Sequence, residues 1–383
     1  MRRACFTLLL VGGCGLLTSP DDKPPILQVM KLLWEIPYEF VGTAVTATPL
    51  MLGDSLVIMS AGKEILAVNQ QTGTVRWRSF VSDKTNIQTD EFKTDGYRVF
   101  ASHVEDIRAY SLADGSIQWK TDMVTERGGF WSHEMTYSAG KVMIAGYRTV
   151  YALDALTGSM IWSKNLQLRG VLGDTKMYDG SIIVGGSYGF DDSSGKLIGS
   201  IGKLYSLNVA TGDTNWTVTM RGDGAAYAPV IEDGVIYVGT AFPFSSASFE
   251  AFDARTGARK WSYYTPNEGW DYNYAIVVGD KVIANAGPYH VAAFNKHTGQ
   301  LLWRTFLMED AESRKLHFYN GYIYHTQGWN LFVIDPETGR VVHRMKGPKG
   351  QALVTIAVGN GRVFVQGHPS LMCFEAYKSL LHE

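Results

Sequence analysis

Residues 152–162 read ALDALTGSMIW, a strand, a tight turn and a second strand. The same pattern returns as AVNQQTGTVRW ending at Trp77, AYSLADGSIQW at Trp119, SLNVATGDTNW at Trp216, AFDARTGARKW at Trp261 and AFNKHTGQLLW at Trp303. A degenerate copy, VIDPETGRVVH, ends at His343. The unit alternates inward and outward residues with the period of a strand. Its Thr-Gly supplies the positive φ of a tight turn, and the Asp or Asn four residues before Gly can accept hydrogen bonds from the turn backbone.

A second turn lies upstream in every unit, as Asp179-Gly180, Asp233-Gly234, Asn320-Gly321 and their counterparts, each followed by a β-rich run. One unit is therefore four strands, A to D. Trp34, Trp77, Trp119, Trp162, Trp216, Trp261, Trp303 and His343 are spaced by 43, 42, 43, 54, 45, 42 and 40 residues. Four-stranded units of this length predict a β-propeller. Trp34 has only the strand at 29–35 before it, and SLMCFEAY at 370–377 has no D strand after it. The two fragments complement each other. The expected fold is all-β, an eight-bladed propeller over 26–383 whose last blade the N-terminal strand completes. The seven tryptophans are expected to be structural docking residues.

The chain has 383 residues, 45% of them apolar, and a formal charge of −2, which gives no basic field for nucleic acid. Arg2 and Arg3, an apolar run and small residues precede Cys14. The run is too short to span a bilayer and has the form of a secretory signal. Val11-Gly12-Gly13-Cys14 resembles the lipobox of bacterial lipoproteins. That resemblance implies a signal at 1–13, lipidation of Cys14, a tether over 14–25 and a periplasm-facing place at the outer membrane. The membrane contact would be the lipid anchor alone. Cys373, in an apolar strand, is expected to be a buried structural thiol.

The repeat resembles the tryptophan-docking motif of the PQQ-like, quinoprotein-type propeller family. That family holds both quinone-dependent dehydrogenases and noncatalytic scaffolds of the BamB type. The dehydrogenases stack the quinone on a tryptophan, commonly against adjacent cysteines, beside an ion held by Glu, Asn and Asp. Here no two cysteines are adjacent, and no such ligand set can be assigned. The expectation is therefore no catalytic residues, no metal and no PQQ. The BamB-type scaffolds carry a Leu-x-Leu-Arg-Gly stretch after the equivalent blade, where it meets their barrel partner. Leu166, Leu168 and Arg169 in NLQLRGVLGD match it, and imply partner contact with envelope proteins of the outer-membrane barrel-assembly machine. The family's acidic residues in the next connection are not matched by RGDGAAYAP at 221–229.

A second reading stays open, that of a secreted quinone- or small-ligand-binding propeller. Trp131, His133, Tyr227, Trp270, Tyr272 and His317 fall in D–A connections or A strands, where side chains can line a central funnel. They can equally be core. The insertion at 187–202 is expected to be a polar loop between strands B and C of the fourth blade.

Overall fold

The computed structural model describes residues 30–39, 47–81, 91–103, 106–123, 135–146, 148–166, 174–191, 197–241, 246–266, 271–307 and 313–378. They form eight four-stranded antiparallel sheets. Blade 3 is representative, with strands Met135–Ser138, Lys141–Gly146, Thr149–Asp154 and Met160–Asn165 in simple order. The first strands of successive blades pack on one another and so surround the axis. The up-and-down order puts A–B and C–D turns on one face, and B–C turns and D–A connections on the other.

In blade 3 the Asp154 carboxylate accepts hydrogen bonds from the Leu156 and Thr157 amides at 3.0 and 2.8 Å. Gly158 follows at φ +73°, and Trp119 of the preceding blade lies on it. A methyl group at Gly158 would stand 2.6 Å from the Trp119 ring. Glycine is thus required twice, for the left-handed backbone and for the close approach. The Trp119 indole N–H also donates to Ala155 O at 2.9 Å. Trp34, Trp77, Trp162, Trp216, Trp261 and Trp303 sit in the same way on Gly73, Gly115, Gly212, Gly257, Gly299 and Gly339. All except Trp216 donate to a turn carbonyl as well; Trp216 Nε1 is buried without a partner. All seven tryptophans are therefore docking residues, each one large apolar surface clamped between neighbours.

Blade 8 takes Ala352–Gly359, Arg362–His368 and Ser370–Glu375 from the C-terminal part of the chain and Leu32–Pro37 from the N-terminal part. The N-terminal strand lies slightly later than the sequence reading placed it. It reproduces the register of every other D strand, including the bulge beside tryptophan: Trp34 pairs with Cys373 as Trp162 pairs with Ala152. Cys373 stands where the repeat keeps a small residue, and it is fully buried. The seam is further tied by Glu35, which accepts from Ser370 Oγ at 2.6 Å and Gln351 Nε2 at 3.1 Å. Tyr38 Oη donates to Gly367 O at 2.6 Å.

One expectation changes. The described residues of the insertion in blade 4, 187–191 and 197–202, are not a loop but an extension of strands B and C, Ser181–Asp191 and Leu197–Asn208. Its alternating small residues let it lie along the next blade. A Cβ on Gly202 would come within 3.1 Å of Ala226 N, and Ser200 Oγ accepts from the Gly224 amide at 3.1 Å.

Candidate functional site

The A strands are unequal around the ring. Those of blades 1 to 4, Leu50–Leu52, Lys93–Thr94, Met135–Ser138 and Thr175–Tyr178, have 3, 2, 4 and 4 described residues. Those of blades 5 to 8, Ala225–Glu232, Tyr272–Val278, Ser313–Tyr319 and Ala352–Gly359, have 7 or 8. Each long strand also carries a bulge. The short-stranded half leaves a cavity of about 340 Å³ on the axis, lined by Thr48, Leu50, Glu91, Lys93, Tyr137 and His317 among others.

Charge crosses the channel at this level. Glu91, entering blade 2, contacts Lys93 two residues further on. It also meets Lys315 of blade 7 at 2.6 Å. Two blades separate these partners on one side of the ring and four on the other, so the ion pair bridges the channel. Lys315 lies 5.9 Å from the Tyr274 ring centre of blade 6, within reach of a cation–π interaction. Tyr274 meets Tyr227 of blade 5 edge to face, with their hydroxyls 3.4 Å apart. Ala228 and Tyr274 both hold φ +48° at the bulges. This left-handed backbone is costly for side chains other than glycine, and it re-aims the strands beside the channel.

His317 lines the cavity with Nε2 buried and without a hydrogen-bond partner. Burial, with Lys315 nearby, pulls its pKa down to about 4 against the opposing pull of Glu91. His325 on the adjacent strand is 1% exposed, and burial pulls it down to about 3. Both imidazoles are neutral near pH 7. Among the described residues no three His, Cys, Asp or Glu are gathered to hold an ion. The site offers charge, donors and a neutral imidazole for binding.

Of the funnel residues expected from sequence, His317 reaches the cavity. Tyr227 lies beside the channel, 6% exposed, in contact with Tyr274. Tyr272 does not face the funnel. It is 2% exposed in the core of blades 5 and 6, against Phe249, Tyr263 and Phe294. Strand alternation turns it inward, where a large ring fills the space between sheets. Trp131, His133 and Trp270 lie outside the described residues, as do Cys14, Leu168 and Arg169. Leu166 is half-buried and packs against the core between blades 3 and 4, with its amide donating to Arg148 O at 2.9 Å. Glu91, Lys93 and Lys315 escaped the sequence reading. They are single charges far apart in the chain, and no local pattern marks charges that meet only across a closed ring.

The fold and this channel define an eight-bladed propeller of the PQQ-like class. A family model described as outer membrane protein assembly factor BamB matches residues 103–198, 185–321 and 288–378. The chain belongs to that family. The BamB of Yersinia pestis is 25% identical over 195 residues, covering 49% of this chain and 47% of that protein. The tetrathionate hydrolase of Acidithiobacillus ferrooxidans is 25% identical over 334 residues, covering 73% of this chain and 62% of that protein. The alignments thus span about half to three-fifths of these curated relatives. Among solved structures, BamB from Moraxella catarrhalis superposes with a TM-score of 0.69 at 17% identity, over 91% of this chain and 100% of that one. The quinohemoprotein alcohol dehydrogenase from Comamonas testosteroni superposes at 0.70 and 13% identity, over 92% and 78%. These likenesses carry the fold.

Proposed function

We propose that this protein is a noncatalytic scaffold of the outer-membrane β-barrel assembly machinery, anchored by lipid at Cys14 and facing the periplasm. The match of residues 103–378 to the BamB family model carries the reading. The geometry supports it. The repeat tryptophans are consumed in blade docking. The first strand enters its blade from the A–B/C–D face, since Leu32 pairs with Phe374 and Pro37 with Ser370 at the B–C turn. The connection carrying Leu166, Leu168 and Arg169 leaves from the opposite face, so an anchored N-terminus and a partner need not compete.

The test uses membranes and a pull-down. Cys14→Ser releases the protein to the soluble fraction, because stable anchoring rests on the acyl chains. Leu168→Ala with Arg169→Ala abolishes capture of the barrel-assembly partner while melting is unchanged, as interface energy concentrates in a few anchors. Leu166 is left intact in this test because it also supports the core between blades. Partner capture by the double variant would overturn the interface, and membrane retention of Cys14→Ser the anchor.

The competing enzymatic reading draws on the tetrathionate hydrolase and quinohemoprotein likenesses. The described residues do not fit a quinone–metal centre. The one cysteine among them, Cys373, is buried in a blade, away from the channel, and the channel carboxylate Glu91 is engaged by two ammonium groups. Dye reduction after addition of PQQ and calcium would favour the enzyme and overturn the scaffold.

A further inference from the structure

The axial cavity has chemistry that a scaffold does not require. On one wall the ammonium group of Lys93 contacts Glu91, whose carboxylate is also met by Lys315 from outside the lining. The Lys93 ammonium carries three donors and can serve a carboxylate and a ligand oxygen together. On another wall His317 presents a neutral imidazole whose buried Nε2 has no hydrogen-bond partner. A buried polar atom left without a partner is costly, and a ligand oxygen or hydroxyl would satisfy it. Pro49, Leu50, Phe92 and Tyr137 add apolar and aromatic surface, alongside Thr48 and Thr94. The volume, about 340 Å³, lies at the small end of the range of small-ligand pockets, about 300–1,000 Å³.

We propose that this cavity binds a small organic acid, its carboxylate at Lys93, its body on Leu50 and Tyr137, and a polar atom at His317 Nε2. The asymmetry of the ring supports the assignment. The four short A strands lie together on one side of the ring, and blades 1 to 3 supply most of the cavity lining beside the cross-channel ion pair. The inference is independent of the scaffold reading.

Titration calorimetry of the full chain at pH 7.5 tests it, with benzoate and phenylacetate as probes and benzamide as the uncharged counterpart. Expected are saturable binding of at least one acid and at least tenfold weaker binding of benzamide. Lys93→Gln should weaken the acid at least tenfold. Absence of binding by both acids overturns the proposal, and so does benzamide matching the acid. Inorganic phosphate binding as tightly as the acid also overturns it, because the apolar wall would then contribute nothing. Should Lys93→Gln disturb the fold, the acid–amide comparison in the unaltered protein decides.

Discussion

His343 lies stacked on Tyr377, ring centroids 5.5 Å apart and planes inclined by 26°. It holds the position at which seven other blades present tryptophan. Blade 8 has no C–D turn, because its D strand comes from the other end of the chain. There is consequently no turn glycine for an indole to lie on, and Tyr377 fills the place. Opposite His343 the repeat's small residue has become Val333, adding bulk where the ring is smaller. The departure from the motif and the missing turn are one fact.

Restoring the motif here should therefore harm the protein. His343→Trp is expected to destabilise by about 1–3 kcal/mol, the usual cost of overpacking. Urea unfolding measures it. A stabilised variant would show that the site has room for an indole.

The seam depends on Trp34. Its indole lies on Gly73 and donates to Gln70 O at 3.0 Å. Trp34→Ala should cost about 3–5 kcal/mol, as for other large buried side chains. Removal of residues 30–37 should do more, exposing the edge of Ser370–Glu375 to pairing between molecules. Calorimetry and size-exclusion chromatography report the two effects, and an unchanged melt in both would refute closure by this strand.

Cys373 is expected to be inert. It is fully buried opposite Trp34, and burial pushes its thiol up to about 12, which disfavours the reactive thiolate. Cys373→Ala installs the residue that five other blades place opposite tryptophan and should cost under about 1.5 kcal/mol, at the low end of core truncations. Labelling of the native protein by a thiol reagent, compared with labelling in urea, checks the burial. Rapid native labelling would contradict it.

Stability should fall as pH drops below about 6.5. Burial holds the folded pKa values of His103 and His325 near 3 and that of His317 near 4, whereas in the unfolded chain they return to about 6.5. Between those values the unfolded state binds protons that the folded state refuses, so unfolding is favoured on acidification. The contribution is full above pH 6.5 and lost on the way down to about 3 to 4. Each fully buried histidine can add a slope of up to about 1.4 kcal/mol per pH unit. Urea midpoints from pH 7.5 to 4.5 should decline, and His325→Gln should flatten the decline. An identical slope in the variant would remove His325 as a contributor.

What the sequence determined was the blade. Asp154, Gly158 and Trp162 act within a dozen residues, so their spacing reports a turn and a wedge without knowledge of the rest. Repetition then set the blade count. Trp34 without a repeat before it, and residues 370–377 without a strand after them, forecast the closure, because an unpaired sheet edge demands a partner. What only the tertiary structure decided was the channel. Glu91 and Lys315 are 224 residues apart and become neighbours solely because the ring closes. Tyr272 and His317 both read as funnel residues from their place near A strands, yet one is core and the other lines the cavity. That choice depends on strand twist and on bulges such as the one between Ser313 and Leu316. A single extra residue there turns the following side chains to the other face, and no local pattern in the chain announces it.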